Sequence, residues 1–241
     1  MSLRLVLDED SMAAPPTSIV CVLKSGGEFG PHHVERLCGL VWAHTAVPVL
    51  CLADVPVEET AGLTVDRLEH GWPGWWSKME VYRRHGPCLY LDLDVTPIGD
   101  LTPLLNAATK HDMVITRDYW DMNPHYINGS VIGWRGDAVR QLYGEFAEAP
   151  VAFMDIYRTG ERWNDQGFIR DHWRGEWVSY QDECPGTIWS FKREVLTGTS
   201  RGQPVDLSNA RLIVSHGKPR PWAPGGADDW LRSRGYLPSA G

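Results

Sequence analysis

The stretch Cys88 to Asp100 (CLYLDLDVTPIGD) constrains this chain more than any other. Cys88, Leu89, Tyr90 and Leu91 make a short apolar run of the kind that forms a buried strand. It breaks off into Asp92, Leu93 and Asp94. Side chains alternate across a strand, so Asp92 and Asp94 are expected on one side and Leu93 on the other. Two carboxylates side by side at the tip of an apolar strand repel each other and are costly to desolvate. A hard divalent cation relieves that cost, because Mg²⁺ and Mn²⁺ prefer oxygen ligands, often one or two carboxylates plus substrate phosphates. The plain alternative is a strand that runs out into solvent. Thr96, Pro97 and Gly99 speak against it, since they make a turn that would hold the pair at the strand tip.

The rest of the chain alternates strands with helices. Ser18–Leu23, Val47–Ala53, Asp112–Thr116, Ile127–Trp134 and Leu212–Ser215 read as strands, with weaker candidates at Val178–Tyr180 and Thr187–Phe191. Apolar spacing predicts helices over His33–Thr45, Trp75–His85, Leu101–Thr109 and Asp137–Ala149. A further helix is expected to run from Asn164, Asp165 and Gln166 through Trp173, and Asn128-Gly129 reads as a turn opening a strand. Such alternation predicts an α/β sandwich around a mostly parallel sheet, with ligands gathering where strands end. Nothing divides the 241 residues, so one domain is expected over 1–241, with 1–17 and the Gly- and Pro-rich 223–241 peripheral.

Composition excludes more than it selects. A net charge of −8 gives no broad grip on nucleic acid. Five scattered cysteines without a CxxC favour reduced thiols and a cytoplasmic setting over disulfides or zinc. Asp8, Glu9 and Asp10 interrupt the first apolar residues, so no secretory leader is expected, and no run reaches transmembrane length. Tryptophan is over-used, with 12 in the chain, including Trp72, Trp75, Trp76, Trp163, Trp173, Trp177 and Trp189. Core packing accounts for most of them, while flat aromatic faces also suit sugar rings and bases in a cleft.

Several short motifs follow predicted strands. Lys24-Ser25-Gly26-Gly27 is a plausible nucleotide cradle, because glycines let backbone amides approach a ligand. It has neither the GxxxxGK[ST] nor the GxGxxG spacing, so neither of those nucleotide-binding classes is supported. Asp54 ends the second strand, Lys78 lies on the helix ahead of the acidic strand, and His216 ends the last strand with Gly217 and Lys218 behind it. A histidine in that company could complete a metal site while Lys218 contacts phosphate.

Together these motifs resemble a family. Asp-Leu-Asp after an apolar strand looks like the DxD metal motif of GT-A glycosyltransferases. LKSGG, LAD, WSKMEVYR, LYLDLD, INGSVIGW, NDQGF and HGKPRPW occur in the order seen in glycogenin-like (family 8) retaining transferases, over roughly residues 18–222. The resemblance implies a GT-A, Rossmann-like three-layer sandwich and transfer of a sugar from a nucleotide-diphosphate donor, a UDP-sugar by family habit, with retention. It implies Mn²⁺ or Mg²⁺ on Asp92, Asp94 and His216, with Asp92 also at the donor, and Lys218 on the diphosphate. Lys24, Ser25, Gly26, Gly27 and Asp54 would bound the nucleoside. Lys78, Asn128 and Gly129 would border the donor sugar, and Asp165 and Gln166 would face the reacting sugar and acceptor. Two departures stand out: the family spacing HxxGxxKPW is shortened between His216 and Lys218, and LKSGG replaces the usual first turn.

Two other classes share parts of this pattern. Asp92-Leu93-Asp94-Val95-Thr96 also fits the DxDxT signature of haloacid-dehalogenase-like phosphatases, with Asp92 as nucleophile and Asp94 as acid. That family places the motif on its first strand, whereas two strand–helix units precede it here. A non-enzymatic sugar-binding module would use the tryptophans but leave the metal set without a purpose. The acceptor stays open between a glycan, a protein side chain, a metabolite and a modified DNA base.

Overall fold

β1 (Ser18–Leu23) sends Ile19, Cys21 and Leu23 into one hydrophobic cluster and Val20 into another. That is what period-2 alternation produces in a strand covered on both faces, and it sets up three layers. The computed structural model describes residues 18–119, 126–159 and 164–239. The expected peripheral segment 1–17 and Trp163 lie outside these residues.

α1 (Pro31–His44) starts on a proline, whose missing N–H is no loss in a first turn, and buries Val34, Leu37, Cys38 and Val41 against one face of the sheet. β2 (Val49–Ala53) and β3 (Leu63–Arg67) follow in parallel. The segment Gly74–Arg83 is a 3-10 helix, where the spacing predicts an ordinary helix over 75–85. It has no solvent-facing stripe: every residue from Trp76 to Tyr82 is buried, so packing on all sides overrides local propensity.

β4 (Cys88–Leu91) carries the acidic turn and leads into β5 (Val95–Pro97), α2 (Thr102–Lys110) and β6 (Val114–Arg117). β7 (Ile127–Trp134) is buried along its whole length. Asn128-Gly129 therefore sits inside a strand, at a bulge where β6 and β7 shift register between Ile115 and Thr116. Next come α3 (Arg140–Glu148), α4 (Pro150–Ile156), α5 (Asn164–His172), β8 (Val178–Ser179) and α6 (Tyr180–Glu183). β9 (Ile188–Ser190), the ribbon of β10 (Thr199–Ser200) and β11 (Gln203–Pro204), β12 (Leu212–Val214) and α7 (Ala227–Ser233) complete the order.

The central sheet has seven strands in the order β3-β2-β1-β4-β7-β6-β8. It is mostly parallel, with β7 reversed between β4 and β6. α1 and α2 cover one face, while the 3-10 helix, α3 and α5 cover the other. A second sheet, β5-β12-β9, carries the chain's late motif. The 223–241 tail is more than a surface wrap. α7 packs Ala227 and Leu231 on Phe191 and Ile213, and Arg36 grips the buried Asp228 with two hydrogen bonds of 2.8 and 2.5 Å. Among the described residues no helix is long and apolar enough to cross a membrane.

Candidate active site

β1 and β4 run side by side and parallel, with Ser18 opposite Cys88, so their closing turns emerge at one edge of the sheet. Strand order reverses between them, where open α/β sheets form a crevice. A cleft of about 1060 Å³ lies there, lined by Lys24 through Gly27, Asp92 to Asp94, Asn128, Asp165, Gln166, His216 and Arg220. Most of the expected site residues thus share one cavity.

Lys78 forms its floor. The side chain is buried, at 7% exposure, and its Nζ lies 3.1 Å from Asp92 Oδ1, 3.0 Å from Asp165 Oδ2 and 3.0 Å from the Gly129 carbonyl, to which it donates. The contact with Asp165 is an ion pair without hydrogen-bond alignment, so Oδ2 has no hydrogen-bond donor aimed at it among the described residues. Burial alone would push the lysine pKa down; Asp165 and Asp92 reverse that and hold it above its ordinary value. Burial also pushes Asp165 up, despite Lys78. The two carboxylates raise the lysine, and burial raises Asp165 because the one cation they share does not offset it. Gly129 allows this closeness, since a Cβ there would stand 3.2 Å from Asp165 Oδ2 and 3.3 Å from Lys78 Nζ.

Asp92 and Asp94 do face the same cleft, but through a turn, with Val95 N donating to Asp92 O at 3.3 Å, and not through strand alternation. Tyr90 Oη donates to Asp92 Oδ1 at 2.6 Å. Asp94, 5% exposed, is ion-paired with Arg220, which also grips Glu28. Burial and the neighbouring Asp92 still push the Asp94 pKa up to about 6.

On the far side, Lys24 and Ser25 close onto Asp54. The Ser25 amide and hydroxyl each donate to its carboxylate at 2.7 Å, and Lys24 pairs with it. Burial works against the ionised Asp54, but these partners outweigh it and hold its pKa down to about 2. Asp54 therefore fixes the shape of the turn and does not itself line the cleft.

His216 takes a left-handed backbone conformation (φ 27°), and its ring stacks on Tyr119 with Nε2 2.6 Å from Ser190 Oγ. Burial and Lys192 push its pKa down to about 4, which leaves a neutral imidazole, the form that binds metals. Lys218, expected on the diphosphate, is exposed and does not line the cleft. Arg220 does, from the same motif. Its position was visible in the sequence: of Lys218-Pro219 and Arg220-Pro221, only the second is followed by tryptophan, as in the family's Lys-Pro-Trp. Tyr90 and Glu28 carried no signal of their own.

Among the described residues, no three His, Cys, Asp or Glu side chains form a group that could hold a metal ion. The paired carboxylates nevertheless fit a hard cation that takes two protein oxygens and completes its shell with substrate phosphates. The fit shows in Asp94, a buried carboxyl pushed toward neutrality beside Asp92 although Arg220 pairs with it. Of the tryptophans, Trp75 lines the cleft, Trp72 and Trp76 are core, and Trp173, Trp177 and Trp189 are partly buried packing.

No family model matches the chain, and no curated protein matches it. Solved structures do. The galactosyltransferase LgtC in complex with donor and acceptor sugar analogs superposes with a TM-score of 0.63 at 14% identity, covering 93% of this chain and 97% of that one. The glycosyltransferase GlyE of Streptococcus pneumoniae TIGR4 gives 0.56 at 12% identity, over 93% of this chain and 61% of the other. The bifunctional glycosyltransferase WbbM gives 0.59 at 12% identity, over 98% and 51%. At such identities the likeness is one of architecture: this chain has the fold of the GT-A glycosyltransferases.

Proposed function

We propose that the chain is a metal-dependent glycosyltransferase that takes a sugar from a nucleotide diphosphate, a UDP-sugar, and retains its anomeric configuration. The observation that carries this reading is the charge arrangement at the cleft floor. Lys78 stands between Asp92 and Asp165, and Asp94 pairs with Arg220, in a fold whose solved counterparts are glycosyltransferases.

Asp92 and Asp94 would hold Mn²⁺ or Mg²⁺, with His216 joining them on leaving Ser190 Oγ. The ion, when bound, supplies electrophilic stabilisation to the diphosphate. Arg220 adds a guanidinium, whose planar fork suits phosphate oxygens. The Lys24–Gly27 turn, pinned by Asp54, bounds the nucleoside. In the transfer itself the bond from the anomeric carbon to the diphosphate breaks, and its electron pair leaves with the diphosphate. The acceptor hydroxyl oxygen bonds to that carbon, and its proton goes to the departing phosphate oxygen.

Gln166, half-buried on the cleft wall, is the residue we assign to face the carbon as it turns cationic. Asp165 lies beneath it and acts through Lys78. The phosphatase alternative needs Asp94 as a proton donor beside a nucleophilic Asp92. Here the acidic motif follows β4, whereas that family carries it on its first strand.

The test is hydrolysis of a panel of nucleotide sugars with and without Mn²⁺. UDP-sugar turnover that needs Mn²⁺ and is lost in Asp92→Asn is expected. Turnover of p-nitrophenyl phosphate, lost in the same variant, would replace the transferase with the phosphatase.

A further inference from the structure

Next to the cleft runs a groove of about 940 Å³ between Pro73–Trp76 and α4, lined by Pro73, Trp75, Trp76, Pro150, Val151 and Met154 among others. α4 reads PVAFMDI, with a single charge, yet none of its residues is buried. Val151 is 75% exposed, Ile156 52% and Trp75 48%. Single exposed apolar residues are ordinary, but a contiguous apolar surface marks a place where something binds.

The position of the groove says what. It shares Pro73, Gly74 and Trp75 with the cleft, so the two cavities lie side by side across these residues. In a 3-10 helix, residues three apart eclipse each other, about 6 Å apart along the axis. Trp75 and Lys78 are three apart in such a helix, which places the mouth of the groove one turn from the reactive floor. A molecule with one end at Gln166 can therefore lay its other end along Trp75 and α4. A membrane surface or a second copy of the chain would also cover Val151 and Ile156. Neither accounts for a groove that shares a wall with the cleft.

We infer that this groove holds the apolar body of the acceptor, an alkyl or aryl chain attached to the hydroxyl-bearing head that enters the cleft. This rests on the transferase reading for the word acceptor, but the binding can be tested without it.

The probes are octyl and methyl β-glucoside, titrated below the micelle concentration of the octyl compound into the full chain with UDP and Mn²⁺, followed by tryptophan fluorescence. Octyl glucoside is expected to bind at least about tenfold tighter than methyl glucoside, as burial of even a few methylenes requires. Val151→Glu should abolish that preference and Val151→Leu should keep it. Val151 is mostly exposed, so both variants fold. Equal binding of the two glucosides, or a preference that survives Val151→Glu, overturns the inference. So does a Val151→Glu variant that loses binding to anionic phospholipid vesicles, or changes oligomeric state, while its octyl preference persists. Donor hydrolysis by the wild type is measured separately. Octyl preference without any hydrolysis would uphold the groove and overturn only the transferase.

Discussion

Replacing Lys78 with methionine tests the ionic floor of the cleft. Methionine keeps most of the stem volume and removes the cation that lies 3.1 Å from Asp92, 3.0 Å from Asp165 and 3.0 Å from the Gly129 carbonyl. Two carboxylates are then left facing each other with no compensating charge. Removing one partner of a buried ion pair costs about 3–5 kcal/mol, a large part of the roughly 5–15 kcal/mol that stabilises a domain. At about 2–4 °C per kcal/mol for a chain of this size, Tm falls by about 6–20 °C.

The loss must also depend on pH. Burial already holds the Asp165 pKa above its ordinary value, and removing Lys78 raises it further. A carboxylate raised in the folded state adds stability below its unfolded pKa and loses it as pH rises through the folded one. The variant is therefore weakest at neutral pH and recovers toward pH 4. Urea unfolding at both pH values reads this directly. The double variant Lys78→Met/Asp165→Asn, which removes the orphaned charge, should regain at least half of the loss at pH 7. A single-variant loss below about 1 kcal/mol, or a double variant no better than the single, would refute the idea that one lysine neutralises both carboxylates.

Asp94→Asn, unfolded by urea in EDTA, should gain about 1–3 kcal/mol at pH 7.5 and nothing at pH 4, because the folded pKa of about 6 lies above the ordinary 3.8 and its cost appears as pH rises between them. The same variant should lose Mn²⁺-dependent UDP binding in calorimetry. Gly129→Ala puts a Cβ 3.2 Å from Asp165 Oδ2 and Gln166 Cγ, and turnover should fall at least about tenfold for a stability loss of about 1–3 kcal/mol. Arg220→Ala should raise the donor KM by about tenfold to a hundredfold, the worth of a charged hydrogen bond. Lys218→Ala, at an exposed position off the cleft, should leave it within about threefold.

The central layers were legible because their signals are local. Ile19, Cys21 and Leu23 against Val20, or the helical face Val34, Leu37 and Val41, announce themselves in any short window. Other elements were not, and β3, α4 and α7 show why. β3 (Leu63–Arg67) is an edge strand with only Leu63 buried, so little apolar pattern survives in it. α4 follows Ala149-Pro150, which reads as the end of a helix and is in fact the start of another. α7 looks like tail because its anchor, Arg36 on Asp228, spans 192 positions of sequence.

The place of a residue in the cleft was legible wherever it follows from a strand end, as with Asp92, Asp94, Lys24 and His216. It was not where the role depends on a partner far along the chain. Lys218 and Arg220 illustrate the limit: the tryptophan after Arg220-Pro221 marks the better match to the motif, but not which side chain reaches the carboxylates. What separates them is the backbone. His216 and Gly217 both take left-handed conformations, and Lys192 Nζ donates to the carbonyls of His216 and Lys218 at 2.6 and 2.9 Å. With those carbonyls held, Lys218 remains exposed and Arg220 is the one that reaches Asp94. A buried carboxylate pair selects whichever cation the loop can deliver to it. Lys192, a residue that no motif includes, holds the backbone of the loop from which Arg220 reaches that pair.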